Sequence, residues 1–583
     1  MSLKKTLRRL YFLARSHVLK AQGKGTIFEF TDKRWSGRID GWDFEIDDGL
    51  VAQFRNGPHP APKDYGIKVW HALVKHLDSK PLAEYLEFFH NNSRTITAPS
   101  LGLNSRTNKV VVSFGTQHGV TIGRTGSGKF ACTIAPTCLF YRGAIIVIDP
   151  KGEVAMVTAK ARARLHGQIP VILDPFNMLK GRLPEHAELR TYNPLSELEP
   201  NGETFYADSL SMADALLVSR SDKDPMWRNN AKDLLTGLIM LVCTDEEFEG
   251  QRDLGSVRAV LSSSSDEWRI VFNKMLSSAN LEVRECGRRM EAMPEKTFGG
   301  VLSQCNSDLQ FLSDPLMRRI LSSGDSSEPF QFRKFYENKF ITGTGEEEQR
   351  KLQSKVPLAV FYNNTWWKDR ALDAFASGGF SLYIVLPPHY LESHAGWLRA
   401  VLTSAINIAT RKARRGVPTL MIVDEAFQLR QFELLPRAYS IMRGYNFRIW
   451  TFWQDLGQIK ANYPDTWQSI LGNSFQHLLG TRDLETAKYF SELAGMETKM
   501  VKTGYSTGTS YGTSAGGYSS STNFSENMGR VVEPKIRPEQ ILEVGDDWGL
   551  AYVGDEPIFW FKKLRYFQHN HWNREADPNP YVA

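Results

Sequence analysis

Residues 110–130 read VVVSFGTQHGVTIGRTGSGKF, and this stretch decides the fold. Valine, threonine and isoleucine dominate as far as Ile122, a composition typical of β-strands. Residues 123–129 then bring three glycines ahead of a lysine, and the chain can continue as a helix to about Phe140. Strand, glycine-rich turn and helix in this order indicate a loop whose backbone N–H groups converge on an anion at a helix N-terminus.

The turn GRTGSGK matches the first seven positions of the Walker A pattern, in which the lysine reaches the β- and γ-phosphates of a nucleotide. We therefore predict an ATP site formed by Gly123, Arg124, Thr125, Gly126, Ser127, Gly128, Lys129 and Phe130. The eighth position is normally Ser or Thr, and the ring of Phe130 cannot ligate Mg²⁺. Three explanations stay open: water and a second motif hold the metal, Thr125 or Ser127 supplies a hydroxyl, or hydrolysis is weak.

A second motif closes the apolar strand TLMIV, residues 419–423, with Asp424 and Glu425. We predict that Asp424 holds Mg²⁺ through water and that Glu425 polarises the water that attacks the γ-phosphate. Gln454, at the end of FRIWTFW, is predicted to hydrogen-bond the γ-phosphate or that water. These roles require Lys129 and the acidic pair to meet across one triphosphate. The alternative is that Asp424 and Glu425 are solvated residues at the end of a strand and have no catalytic role.

Two arginines and a further acidic motif are weaker candidates. Arg443 and Arg448 precede FRIWTFW or lie at its start, and either can act across a subunit boundary as an arginine finger. A surface ion pair is an equally good reading of each, and we prefer Arg443 as the catalytic one. The motif IDPKGE places Asp149 and Glu153 at the carboxyl end of a strand, where ligands collect in α/β sheets. They either adjust the metal or neighbour contacts, or form a structural turn.

Strand and helix signals alternate on both sides of a long helical segment, which predicts an α/β fold with an inserted all-α domain. The predicted units are an N-terminal region with a basic amphipathic helix (1–107), a nucleotide-binding domain in two parts (108–184 and 378–583), and an all-α domain between them (185–377). Residues 503–529 consist largely of Ser, Thr, Gly and Tyr. We predict a mobile linker loop there, because such a composition buries too little apolar area to offset its ordering entropy. Stacking of its tyrosines on bases is a minor alternative.

Composition limits the classes of protein to which this chain can belong. The net charge of +6 permits nucleic-acid contact without requiring it. Five cysteines without a Cys-x-x-Cys pair indicate reduced thiols and no zinc site. No apolar run is long enough for a transmembrane helix. The basic segment 1–22 is expected to be an amphipathic helix, lying either on an anionic membrane or on its own protein.

Taken in order, these segments resemble the coupling proteins of type IV secretion systems, the conjugative DNA-transfer ATPases of the TraG type. The resemblance runs from about residue 110 to 570 and rests on GRTGSGK, IDPKGE, DPF, YNPL, WRNNAKDLLTGLI, YIVLPPHYLESHAGWLR, VDEA, GTRDLETAKYFSELAG and RPEQIL. It implies a RecA-like P-loop nucleotide-binding domain with an all-α domain, assembled as a hexamer that uses ATP and Mg²⁺. It also implies motor roles for Lys129, Asp424, Glu425 and Gln454.

The resemblance further implies the partners and the location. They are single-stranded DNA bound to a relaxase, or effector proteins, together with components of the secretion channel at the inner face of the cell membrane. Members of this family usually begin with transmembrane helices, so the way this chain reaches the membrane is open. Two other functions also stay open. One is a non-hydrolysing adaptor, which Phe130 favours, and the other is a DNA pump of the FtsK/HerA type, which the long helical insertion disfavours.

Overall fold

The computed structural model describes residues 27–31, 34–39, 42–46, 98–106, 110–113, 117–166, 168–218, 225–321, 329–336, 380–411, 417–514, 516–554 and 556–581. The basic amphipathic helix predicted near the N-terminus lies outside these residues. The strands of the described residues are β1 Ile27–Thr31, β2 Arg34–Ile39, β3 Trp42–Ile46, β4 Ser100–Asn104, β5 Val110–Ser113, β6 His118–Gly123, β7 Ile145–Asp149, β8 Ile169–Leu173, β9 Glu188–Leu189, β10 Phe380–Val385, β11 Thr419–Val423, β12 Phe447–Trp453, β13 Ser474–Gly480, β14 Met496–Ser514, β15 Gly517–Pro534, β16 Trp548–Tyr552 and β17 Phe559–Lys562.

Fifteen of these strands form one mixed sheet in the order β3-β2-β1-β5-β4-β17-β16-β13-β6-β12-β11-β7-β10-β8-β9. Neighbours from β13 to β9 are parallel, and neighbours from β3 to β13 are antiparallel. The central strands β7, β11 and β12 are buried along their whole length, as expected for parallel strands covered on both faces. The α/β fold predicted from the alternating segments is confirmed.

The helices cover both faces of the sheet and make up most of the described residues between β9 and β10. They are α1 Ala135–Phe140, α2 Glu153–His166, α3 Phe205–Leu216, α4 Pro225–Thr244, α5 Leu254–Leu261, α6 Ser265–Ser277, α7 Leu281–Glu291, α8 Glu295–Asp308, α9 Pro315–Leu321, α10 Phe332–Tyr336, α11 Ala395–Arg411, α12 Leu434–Ile441, α13 Leu456–Asn462, α14 Trp467–Gly472, α15 Leu484–Ala494, α16 Pro538–Leu542 and α17 Asn570–Glu575. Proline begins α4 and α9, a position where its fixed φ angle suits the helix and its missing N–H is not needed.

Two hydrophobic cores lie on opposite faces of the sheet, because successive residues of a strand point to opposite sides. Ile146 and Ile148 of β7 pack into the core that also contains the helices from α3 to α9. Ile145 and Val147 pack into the other core, with α1 and α2. The helical insertion therefore shares its core with one face of the nucleotide-binding sheet.

A buried arginine joins the helices beneath the site to the sheet. The guanidinium of Arg162, on α2, donates to the carbonyl oxygens of Cys138, Tyr141 and Gly143, and to the side chain of Gln168. Its burial is complete. Because Arg162 bonds to backbone carbonyl groups along the connection between α1 and β7, it holds the end of α1 and the start of β7 against α2.

Two predicted boundaries need correction. The boundary between residues 107 and 108 separates β4 from β5, yet these strands pair antiparallel, so it lies inside a single hairpin. The segment 185–377, predicted as all-α, begins with the two-residue edge strand β9, which pairs with β8. A strand this short leaves no periodic signal in the sequence. The part of the segment after residue 336 lies outside the described residues.

The predicted irregular loop at residues 503–529 is also wrong in its secondary structure. This segment forms most of the hairpin β14–β15, a separate two-stranded sheet. The low-complexity composition concealed an alternation of residue types along the strands.

Candidate functional site

The candidate site lies at the carboxyl edge of four adjacent parallel strands, β6, β12, β11 and β7. β6 ends at Gly123 and runs into the glycine-rich turn, and β7 ends at Asp149. Asp424 and Glu425 follow β11, and Gln454 follows β12. Parallel strands bring their carboxyl ends to one edge, so motifs far apart in sequence meet here.

The lysine of the turn contacts the acidic pair directly. Lys129 Nζ lies 3.2 Å from Glu425 Oε1, and it also donates to the Gly123 carbonyl oxygen at 3.3 Å. Gln454 Nε2 donates to Glu425 Oε2 at 3.3 Å. The structure therefore brings together Lys129, Glu425 and Gln454, and the requirement that the two motifs meet is fulfilled. Their catalytic roles stay predictions.

The backbone of the turn has the conformation that cradles an anion. Gly126 and Gly128 have φ of 78° and 92°, which side chains other than glycine rarely adopt. A Cβ atom on Gly128 would also lie 2.7 Å from Cys132 Sγ. Glu425 has φ of 52°, an uncommon value for a non-glycine residue that turns its carboxylate toward the lysine. Such local strain is typical of functional positions.

Phe130, at the eighth Walker position, packs against a residue near the C-terminus of the chain. The turn continues as a short π-helix, Lys129–Ile134, followed by α1, which ends at Phe140 as predicted. The Phe130 ring packs edge-on against Tyr566, with 5.9 Å between ring centroids. Of the two nearby hydroxyls, that of Thr125 is exposed, while Ser127 Oγ is buried without a hydrogen-bond partner. Ser127 is therefore the hydroxyl whose bonding capacity is unused.

The side chains of this site offer Mg²⁺ enough ligands only if a bound nucleotide contributes its phosphates as well. Among the described residues, no group of three Asp, Glu, His or Cys side chains is placed to hold a metal ion. Mg²⁺ commonly takes one or two carboxylates, several waters and the phosphates of its nucleotide. The half-buried Asp424, with the unused hydroxyl of Ser127 at the same strand edge, suits that arrangement.

Burial changes the acidity of two carboxyls at the site. It raises the pKa of Asp424 to about 6, and the neighbouring Glu425 carboxylate acts in the same direction. It raises the pKa of Asp149 to about 7, although the Asp149 carboxylate accepts a hydrogen bond from the Ala155 backbone N–H at 2.9 Å. Both carboxyls are therefore poised to take up or release a proton near neutral pH.

The pKa of Asp149 predicts a pH-dependent stability. Between about pH 4 and about pH 7 the folded protein holds a proton that the unfolded chain has released. Stability falls with rising pH wherever the folded state binds more protons, so the free energy of unfolding should fall across this interval. Asp149→Asn keeps an acceptor for Ala155 and should flatten the decline. Denaturant unfolding at a series of pH values measures it, and equal slopes for both proteins would contradict the assignment.

A cavity of about 820 Å³ extends from the glycine-rich turn to a wall that the sequence did not indicate. That wall consists of Tyr566, Phe567, Asn573, Ala576, Asp577, Pro578 and Asn579. It is anchored beside IDPKGE: Asn579 Nδ2 donates to Glu153 Oε2 at 3.2 Å, and the Tyr581 hydroxyl donates to the Lys151 carbonyl oxygen at 2.9 Å. The only feature of the sequence that could have indicated this wall is the group of aromatic and amide residues after β17, and these residues match no motif.

The two arginines lie at the other edge of the sheet. Arg448 is 2% exposed and donates to the carbonyl oxygens of Gln117 and Ser113, so it cannot project to a neighbour and the finger role is wrong for it. Arg443 lies in the helical turn Met442–Tyr445 ahead of β12, near His118, the first residue of β6; burial lowers the pKa of His118, and the charges of Arg448 and Arg443 add to that effect. Arg443 is therefore distant from its own nucleotide turn, and its role as a finger stays a prediction.

Comparison with known proteins places these features in a family. A sequence model described as "Type IV secretory system Conjugative DNA transfer" matches residues 87–345 and 354–581. The chain is 26% identical to the conjugal transfer protein TraG of Agrobacterium fabrum, over 77% of this chain and 61% of that protein. It is 25% identical to the type IV secretion system-coupling protein VirD4 of Bartonella henselae, over 83% and 67%. The chain thus spans about three fifths of the length of the TraG relative.

Solved structures share the fold. The bacterial conjugative coupling protein TrwBdeltaN70 superposes with a TM-score of 0.53 and 13% identity, over 81% of this chain and 90% of that one. TrwB in complex with ADP and Mg²⁺ gives a TM-score of 0.52 and 15% identity, over 77% and 86%. The prediction of a P-loop fold of the RecA-like kind with an all-α domain is confirmed at the level of the fold. Within the described residues, no helix is both long and apolar enough to span a bilayer.

Proposed function

The chain belongs to the type IV secretory system conjugative DNA transfer family, and from this premise we propose that it is an ATP-driven coupling protein. It recruits relaxase-bound single-stranded DNA, protein substrates or both, and moves them to a type IV secretion channel. The observation that carries the motor part of this proposal is the contact between Lys129 Nζ and Glu425 Oε1, at 3.2 Å, at the mouth of the glycine-rich turn.

Each residue of the site has a separate role in the proposed hydrolysis of ATP. Lys129 exchanges its contact with Glu425 for the β- and γ-phosphates when ATP enters, which frees Glu425 to polarise a water molecule. Gln454, already bonded to Glu425, holds that carboxylate in place and senses whether the γ-phosphate is present. Asp424 would hold Mg²⁺ through water, and a bound Mg²⁺ would supply positive charge to neutralise the phosphates.

We further propose that the chain assembles into a hexamer. Arg443 lies at the opposite edge of the sheet from its own nucleotide turn, so it can complete only a neighbour's site. A ring in which each subunit presents Arg443 to the next couples hydrolysis around the assembly. We place the ring in the cytoplasm at the inner face of the cell membrane.

The wall after β17 is proposed to hold the sugar and base of the nucleotide. The glycine-rich turn takes the phosphates, so the remainder of the cavity must take the nucleoside. Phe567 lines that part of the cavity and is 45% exposed, which leaves its ring free to stack on a base.

Phe567→Ala is expected to weaken ATP binding roughly tenfold, since stacking of a base on an aromatic ring contributes about 1–3 kcal/mol. Inorganic tripolyphosphate lacks the base, and its affinity should not change. Calorimetric titration of both ligands measures the difference. Tyr206→Ala is the control, because Tyr206 is 43% exposed on α3, away from the cavity. Equal losses for ATP and tripolyphosphate would show that Phe567 does not face the base.

ATP turnover with different nucleic acids tests the function as a whole. We expect single-stranded DNA to stimulate turnover more than duplex DNA, and the stimulation to fall at higher salt, because phosphate contacts release counterions. Stronger stimulation by duplex DNA would favour a pump of the FtsK/HerA type. An absence of turnover with every ligand would reject the motor.

A non-hydrolysing adaptor is the second candidate, and one observation favours it. Phe130 packs on Tyr566 and supplies no hydroxyl at the eighth Walker position. Such an adaptor binds ATP to assemble and recruits substrate without turnover. It would bind ATP tightly and form a ring, and its transfer activity would survive Glu425→Gln.

A further inference from the structure

The hairpin β14–β15 is a long ribbon with little support from the rest of the protein. Its strands pair from Met496 and Pro534 to Ser514 and Gly517, a length of about 60 Å at 3.4 Å per residue. It is fastened at its base, where the Lys535 backbone N–H donates to the Gly495 carbonyl oxygen at 2.9 Å. A two-stranded ribbon alone is marginally stable in water, so a further strand is needed to stabilise it.

The outer part of the ribbon has two different faces. Beyond the register shift between Lys502 and Gly504, larger residues alternate with small ones. One face carries Tyr505, Thr507, Thr509, Tyr511, Thr522, Phe524 and Glu526, and the other carries Gly504, Ser506, Gly508, Ser510, Gly512, Ser521, Asn523 and Ser525. The hydroxyls of Ser510 and Ser521 lie 2.9 Å apart across the strands, which confirms that they share a face. In β14 the alternation is regular from Gly504 to Gly512, which is typical of a strand and argues against a linker.

Apart from Glu526, which pairs with Tyr505 just beyond the register shift, the outer part of the ribbon lacks the features that block further strand pairing. Residues 503–525 contain no charged residue and no proline. Natural proteins protect an exposed edge with lysine, proline or a bulge, and an unprotected long edge is a template for another strand. Beyond the register shift at residue 503, the ladder is regular to its tip.

The charges on the ribbon favour a protein strand over DNA. Residues 496–534 hold three basic and three acidic side chains. Lys499 Nζ lies 2.8 Å from Glu497 and 2.5 Å from Glu533, and Lys502 Nζ lies 2.7 Å from Glu526. Binding to a phosphate backbone requires cations free to displace counterions, and these two lysines are already paired. An uncharged edge is complementary to an identical uncharged edge.

We propose that the ribbons of neighbouring copies of this chain pair edge to edge, β14 of one copy beside β15 of the next. Every neighbour is then antiparallel, as in an up-and-down barrel, and closing the circle removes all free edges. The contact is head-to-tail, the type that generates rings. This inference concerns assembly and does not depend on hydrolysis.

The pairing is tested by disulfide cross-linking between one copy that carries a new cysteine on β14 and another copy that carries one on β15. The five native cysteines are buried, so single cysteines at Ser506 or Ser510 of β14 and at Ser521 or Ser525 of β15 report on the ribbon. Each chain carries one new cysteine, which rules out a bridge within one ribbon. Mixing a β14 variant with a β15 variant should give cross-linked dimers several-fold above either variant alone. A mixture of the Ser510→Cys variant with Ser277→Cys, on α6, gives the background.

A shortened ribbon supplies the second measurement. Replacing residues 504–527 by an Asn-Gly turn should lower the mass in solution, measured by light scattering, while ATP binding is kept. Cross-links in the Ser510→Cys variant alone would overturn the head-to-tail order. An unchanged mass without cross-links in any of the four mixtures would overturn the proposal. So would loss of single-stranded DNA binding at unchanged mass, which would assign the ribbon to nucleic acid.

Discussion

Replacing Lys129 by alanine should lower ATP turnover by about 10³-fold or more. The ammonium group of Lys129 is the positive charge that the structure places beside Glu425, at the mouth of the glycine-rich turn. Loss of one preorganised group that stabilises charge in the transition state typically lowers kcat by about 10²–10³-fold, and Lys129 also contributes to binding. A coupled phosphate-release assay, with and without single-stranded DNA, measures the effect.

Lys160→Ala is a suitable control for the lysine variant. Lys160 lies on α2 and pairs with Glu185 at 2.8 Å, outside the candidate site. An exposed pair of this kind contributes little to stability, so turnover should stay near the wild-type value. Turnover by Lys129→Ala within a few-fold of wild type would refute the phosphate-binding role of the glycine-rich turn.

Glu425→Gln should separate nucleotide binding from hydrolysis. The amide keeps the size of the side chain and can still accept a hydrogen bond from Gln454 Nε2, but it cannot act as a base. General-base catalysis contributes about 10²–10⁴-fold, so kcat should fall by that factor while the affinity for ATP stays within a few-fold. Single-turnover kinetics and equilibrium titration on the same preparation give the two quantities.

The exposed Glu492, on α15, offers a matched control, since Glu492→Gln makes the same chemical change away from the site. A Glu425→Gln protein with normal turnover would remove Glu425 from the mechanism. A Glu425→Gln protein that no longer hydrolyses ATP but still supports transfer would instead favour the adaptor function.

Local patterns were sufficient to predict much of the sheet. The strands β7, β11 and β12 are short apolar runs closed by polar residues, and parallel pairing places those polar ends at one edge. The meeting of Lys129 with Glu425 follows from that geometry. The position of Arg443 follows as well, because a residue ahead of a parallel strand lies at the edge opposite the site.

Features that depend on distant parts of the chain were not predictable. The wall of the cavity forms because the segment after β17 folds back onto Lys151 and Glu153, and no periodicity records such a contact. The ribbon was missed for a different reason. Its composition has the low hydrophobicity typical of disorder, and only the alternation of large and small residues distinguishes it from a linker.

The strand order has a consequence for synthesis of the chain on the ribosome. β6, which leads into the nucleotide turn, lies between β12 and β13, and β4 pairs with β17. A nascent chain must wait until residue 480 has emerged before β6 has both its partners, and until residue 562 before β4 has both of its own. Contacts this distant in sequence form slowly. We therefore expect nascent and prematurely terminated chains to depend on chaperones and to acquire ATP binding only near completion.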